Sequence, residues 1–152
     1  MPDRGRRTRP AKRTAKPAAG SSEPGNSGAS PTGCVGWLWW RANATARPKP
    51  KEDYENERKV PKAVRAEFDV MRRRYKSGEL RDGANIKFIG DGVYEFRYSH
   101  IGNTPYRLLF MRWGKWAVAL DVFKKTTDAT PKDLAVTRRK AWLKTFGTEP
   151  PT

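Results

Sequence analysis

From Val60 onward the apolar residues follow first one period and then another. Val64, Phe68, Met71 and Tyr75 recur at steps of four, three and four, which puts them on one stripe of a helix. Pro61 suits its first turn, where a missing N–H costs nothing, and Gly78 suits its stop. The period then drops to two. IKFIG (86–90) and VYEFRYS (93–99) both alternate, and Asp91-Gly92 between them predicts a hairpin turn. Tyr94, Phe96 and Tyr98 fall on one face of the second strand, Glu95 and Arg97 on the other. HIGNTP reads as a loop. In PYRLLFMRW (105–113), Tyr106, Leu108 and Phe110 oppose Arg107, Leu109 and Met111. Gly114 marks a return, and KWAVALDVF (115–123) is the fourth and most apolar strand. Thr130-Pro131-Lys132-Asp133 then reads as a cap, an N1 proline and an acidic N3 of a last helix. Its expected buried stripe is Leu134, Ala141, Trp142 and Phe146, closed by Gly147.

These elements predict an α+β fold: an N-terminal helix, a four-stranded antiparallel sheet and a C-terminal helix, over residues 60–147, with 148–152 as a tail. Helices on one sheet face would leave the other open as a platform for a ligand. Residues 1–59 are expected to be a disordered extension. Residues 1–33 are Arg/Lys-rich, then Gly/Ser/Pro-rich, with too little to bury to offset their ordering entropy. They read either as a basic arm that adds non-specific RNA affinity or as a dispensable extension. Residues 41–59 are charged and Pro-containing, as a linker is. WLWW (37–40) has no place in this scheme. CVGWLWW (34–40) is too short and too late for a signal-peptide core, and no run approaches the roughly 20 apolar residues that span a bilayer.

Charge changes the picture. Among 152 residues, 32 Lys+Arg stand against 16 Asp+Glu, a formal net charge of +16. Such an excess points to a polyanion, because neutralising phosphates releases counterions. One Cys and one His cannot make an intrachain disulfide or a zinc cluster. A P-loop, an HExxH helix and a serine nucleophile elbow are all missing. No metal or cofactor is expected, and the single Cys suggests a reducing, cytoplasmic setting. The remaining candidates are strand cations: Arg97 in mid-strand, Arg107 on its neighbour, and Lys124 and Lys125 where the last strand ends. Converging on one uncovered face with Tyr98 and Phe123, they would grip the phosphates of a single strand while its bases stack. The plainer alternatives are that the arginines face solvent or pair with acids such as Glu95, and that the lysines guard a sheet edge. His100, in the loop after the Arg97 strand, is a general-base candidate or an ordinary surface histidine. Asp121, alone in an apolar strand, should pair with a nearby arginine. Arg138, Arg139 and Lys140 read as RNA contacts or solvated surface, as do Arg72 to Arg74.

Taken in order, Gly92-Val93-Tyr94-Glu95-Phe96-Arg97, Tyr106-Arg107-Leu108, Phe123-Lys124-Lys125-Thr126 and Thr130-Pro131 resemble the RelE/HigB superfamily of bacterial toxins, nearest its phage-derived HigB-like branch. The likeness spans roughly residues 60–146. Asp121-Val122 departs from the family stretch before the Phe, and the basic N-terminal region has no counterpart in it. The resemblance implies a ribosome-dependent mRNA endonuclease from a type II toxin–antitoxin module. Its chemistry would be attack of a ribose 2′-OH on the adjacent phosphate, giving a 2′,3′-cyclic phosphate without a metal. Arg97, Arg107, Lys124 and Lys125 would then bind phosphate and stabilise the phosphorane. Lys125, desolvated against the others, would exchange protons, with His100 and Tyr98 in reserve. The implied partners are mRNA, the ribosome and a small helix-turn-helix antitoxin. A ParE-like gyrase poison and an inactive RNA- or host-protein-binding module are the alternatives on the same fold.

Overall fold

The computed structural model describes residues 32–80, 85–100 and 103–151. In chain order these form β1 (Gly36–Trp39), α1 (Lys49–Glu55), α2 (Lys62–Lys76), β2 (Ile86–Gly90), β3 (Val93–His100), β4 (Thr104–Trp113), β5 (Trp116–Lys124) and α3 (Asp133–Phe146). The five strands make one sheet in the order β1-β5-β4-β3-β2. Strands β2 to β5 are the expected antiparallel meander, with boundaries within a residue of those read from alternation. Asp91 and Gly92 both take positive φ, 54° and 75°, as a tight two-residue hairpin turn requires.

The fifth strand corrects the expected four. WLWW is not a stray fragment: β1 lies parallel to β5, Trp37 opposite Ala117 and Trp39 opposite Ala119. Trp37 and Trp39 pack into the core beneath α1 and α2, while Leu38 and Trp40 pack into the core on the other side. A strand apolar on both faces has no polar alternation to announce it, which is why the run looked orphaned. Helix α1 likewise occupies part of the stretch expected to be a linker, and buries Pro50 and Tyr54. Order therefore begins well before Val60. The disorder expected of residues 1–33 falls almost wholly outside the described residues.

Both sheet faces are covered, which overturns the expectation of an open platform. Val64, Phe68, Met71 and Tyr75 of α2 pack on Tyr94, Phe96, Leu108 and Phe110, as the stripe predicted. Helix α3 lies on the opposite face, where Ala135 and Trp142 meet Leu109, Met111, Val118 and Leu120. Its phase differs from the expected one. It starts at Asp133 with no side-chain cap, and Leu134 is 50% exposed. Lys132 holds the cap position, and the Thr130 hydroxyl donates to Glu95 on β3 (2.8 Å).

Candidate functional site

The strand cations gather at one end of the sheet, where β3 and β5 finish and β4 begins. Cross-strand register divides them between its two faces. Arg97 stands opposite Arg107, and Arg107 opposite Phe123, so these three form a row on the α3 side. Tyr98 stands opposite Tyr106, and Tyr106 opposite Lys124, in a second row on the α2 side. The four cations do not share a face, and neither do Tyr98 and Phe123. Neighbouring residues of a strand point to opposite sides, so Lys124 lies behind the sheet from the Arg97–Arg107 row. Lys125 lies just past β5, where its ammonium donates to the Asp128 carbonyl (2.7 Å).

On the α3 side the organising group is Glu95, only 3% exposed. Its Oε1 faces Arg97 Nε at 3.4 Å; its Oε2 faces Arg107 Nε at 3.5 Å and accepts the Thr130 hydroxyl. Arg107 is itself 5% exposed and donates to its neighbour's carbonyl on Tyr106 (2.9 Å). Burial weakens its hold on its proton, and the Glu95 carboxylate works against that loss. Arg97 is different: 42% of its side chain remains exposed. So Arg107 is a held charge, and Arg97 is the one that can meet a ligand. The alternation in VYEFRYS already put Glu95 beside Arg97, but nothing local joined Thr130 to them.

On the α2 side His100 belongs to β3 and not to a loop. Its ring lies 6.2 Å from that of Tyr98 and 6.4 Å from that of Tyr106, and Phe68 of α2 covers Tyr98. His100 Nδ1 is buried without a hydrogen-bond partner. Lys124 is exposed. A histidine, two phenols and an ammonium thus share this side of the sheet end. Among the described residues there is no group of three or more His, Cys, Asp or Glu side chains able to hold a metal ion.

The model of the family "Phage derived protein Gp49-like (DUF891)" matches residues 57–140, more than half of the chain. The chain belongs to this Gp49-like family, a branch of the RelE/HigB toxins. It is also 38% identical over 118 residues to the "Probable endoribonuclease HigB1" of Mycobacterium tuberculosis, in both strain CDC 1551 / Oshkosh and strain ATCC 25618 / H37Rv. Those alignments cover 76% of this chain and 90% of each relative. A stretch of that length cannot fit between Glu57 and the C-terminus, so the likeness takes in part of the segment that carries β1 and α1.

In this Gp49-like chain the arginines of α3 are engaged within the fold. Arg138 donates to the Leu120 carbonyl (2.7 Å), lies 3.7 Å from Asp121 and covers the ring of Trp40 at 4.8 Å. Arg139 packs against Gly92, leaving no room for a Cβ there. Beside it Lys132 donates to the Ile89 carbonyl (2.7 Å), so α3 clamps the β2–β3 turn. Asp121 pairs with an arginine as expected, yet burial still pushes its carboxyl up to about 6 from the ordinary 3.8, with Arg138 pulling the other way. The folded state therefore binds this proton more tightly than the unfolded state does. Asp121 costs nothing at pH 3, where both states are protonated; the cost grows from pH 4 to 6 and is complete above. A shift of this size corresponds to roughly 3 kcal/mol at most. Urea titrations of the protein and of Asp121→Asn should therefore show Asn gaining relative stability between pH 4 and pH 6.5. A difference flat across that range would contradict the assignment.

Proposed function

We propose that this chain is the toxin of a type II toxin–antitoxin module and cleaves mRNA on the ribosome through attack of the ribose 2′-OH. The observation that carries this reading is the row Arg97–Arg107–Phe123, with one half-exposed guanidinium in front of a buried one. Arg97 would hold the scissile phosphate and stabilise the charge that grows on the phosphorane; Phe123 offers a surface for a base. Glu95 has both oxygens occupied and is enclosed, so it serves as a positioning residue and not as the base. His100 is the best-placed group for proton exchange, with Tyr98, Tyr106 and Lys124 around it on the other side of the same sheet end. A messenger crossing that end would pass from one group to the other. The likeness to a probable endoribonuclease supports the activity, and membership of a toxin family supports a neutralising antitoxin partner. None of the helices among the described residues is long and apolar enough to cross a membrane.

The test is induction in a bacterial host with mapping of mRNA ends, followed by cleavage on purified translating ribosomes with and without a chelator. Growth arrest, cuts in register with the A site and chelator-insensitive cyclic-phosphate ends are expected. Arg97→Ala should lower the cleavage rate about 100- to 1000-fold, and His100→Ala by at least about 100-fold. Full cleavage by both variants would sink the proposed site. A second reading has one observation in its favour, since Glu95 already ties down both strand guanidiniums. It is an inactive binding module on the same fold, which would associate with RNA or a host protein and leave messages intact.

A further inference from the structure

The Glu95 carboxylate serves two guanidiniums at once. Arg97 and Arg107 stand directly opposite each other on one face of the sheet, a placement in which like charges repel. A carboxylate beside an arginine often closes on it fork to fork, with two parallel N–H···O bonds. Glu95 does so with neither. Its Oε1 stays 3.4 Å from Arg97 Nε and its Oε2 3.5 Å from Arg107 Nε, and the latter Nε is buried without a hydrogen-bond partner. Among the described residues, the only side-chain hydrogen bond that reaches the carboxylate comes from the Thr130 hydroxyl, at 2.8 Å on Oε2. Thr130 is itself held from both sides. Before it, Lys125 N donates to the Pro105 carbonyl (2.9 Å), Lys125 Nζ to that of Asp128 (2.7 Å) and the Thr127 hydroxyl to that of Ala129 (2.6 Å). After it, Pro131 disfavours helical backbone at Thr130. Lys132 then fastens the chain to the Ile89 carbonyl (2.7 Å) and to Asp91 (3.2 Å). The segment 125–132 thus runs from the end of β5 to the β2–β3 turn and sets one hydroxyl on Glu95 as it passes.

We infer that Thr130 is a positioning residue for Arg97. Its hydroxyl holds the Glu95 carboxylate divided between the two arginines and so keeps the end of the Arg97 guanidinium open for the scissile phosphate. The inference deepens the nuclease reading and rests on it for the identity of that phosphate. Glu95 approaches Arg97 through Nε; among the described residues nothing bonds its Nη1 or Nη2, and 42% of the side chain is exposed. The terminal fork left free matches two phosphate oxygens. Without the Thr130 hydroxyl, Glu95 is a buried acceptor that has lost its hydrogen bond and has two cations within reach. Closing on Arg97, it would take one nitrogen of that fork. Closing on Arg107, it would leave Arg97 without the contact that aims it. Either move harms a transition state, where charge grows on the phosphate, more than a ground state. A hydroxyl that only satisfied a buried acid would support the fold and leave kcat alone.

The experiment compares the full chain with Thr130→Val, Thr130→Ala and Thr130→Ser at a temperature where melting curves show each of them folded. On translating ribosomes, the two variants without the hydroxyl should lower kcat about 10- to 100-fold, as a misplaced reacting group does, and shift KM by less than about threefold. Thr130→Ser keeps the hydroxyl and should stay within about threefold of wild type in both. In a Glu95→Gln background, Thr130→Val should cost less than about threefold further, because a neutral amide cannot close on a guanidinium as a charge. The second readout needs no RNA. The Nε–H NMR signal of Arg97, assigned by its loss in Arg97→Lys, should move in Thr130→Val and Thr130→Ala and return in Thr130→Ser. Wild-type kcat without the hydroxyl would overturn the inference, as would a KM that carries the whole effect, a Thr130→Ser variant as slow as Thr130→Val, or an Arg97 signal that never moves. If the wild type cuts no message, the nuclease reading alone fails, and the Arg97 signal decides whether Thr130 positions that side chain.

Discussion

Replacing Glu95 by Ala is expected to cost the fold about 3–5 kcal/mol, the range for removing one partner of a buried ion pair. Glu95 and Arg107 are 3% and 5% exposed, so neither can turn to water when the other is gone. The Ala variant leaves the Arg107 guanidinium facing an empty site and the Thr130 hydroxyl without its acceptor. Glu95→Gln keeps the shape and one acceptor oxygen, and should lose less. The double change Glu95→Leu/Arg107→Met should recover most of the loss, because an apolar pair of similar volume needs no compensation. Urea midpoints at neutral pH check all three, and an Ala variant within 1 kcal/mol of wild type would mean that Arg107 is solvated after all. Activity separates holding from chemistry. If Glu95 orients Arg97, Glu95→Gln should lower kcat more than it raises KM, and Glu95→Asp should restore part of kcat without restoring stability.

The elements with a single clear period are legible in the sequence alone. Alternation fixed β2 to β5 to within a residue, and the four-three-four spacing fixed the buried face of α2. What escaped was whatever depends on a partner distant in sequence. Trp37 to Trp40 carry no alternation because both sides of β1 are covered, one by α2 and the other by α3. The cap expected at Thr130 falls at Lys132, and the Thr130 hydroxyl instead donates to a carboxylate 35 residues earlier. The gathering of the candidate residues at one sheet end is legible in the sequence, and their division between two faces is not. Arg97, Arg107, His100, Lys124 and Lys125 do meet at one sheet end, but β-strand parity places Lys124 behind the sheet from Arg97. Glu95 was visible as a possible partner of Arg97. Its role as the shared acid of two arginines required the β3–β4 register, which no local pattern contains.

Trp37→Ala should be as damaging as loss of Glu95, and it tests where the domain begins. The Trp37 ring contacts Phe110 edge-on at 5.0 Å, Phe96 at 5.6 Å and Tyr75 at 5.7 Å, and so joins β1 to the centre of the core. Its Nε1 donates to the Arg72 carbonyl (3.0 Å), and the Arg72 guanidinium lies 5.4 Å from its centroid. Truncation to Ala removes these contacts and opens a cavity between the sheet and α2, a change that costs about 3–5 kcal/mol in well-packed cores. For a domain of this size the melting temperature should fall by roughly 10–20 °C. Val35→Ala is the control: it adjoins β1, is 51% exposed and should shift the melt by less than about 2 °C. If Trp37→Ala melted with the wild type, β1 would be a passenger and the folding unit would start near Val60, as the sequence first suggested. The contacts argue otherwise, because removing β1 uncovers Ala117 and Ala119 of β5 and strips the indole that lies between α2 and the sheet.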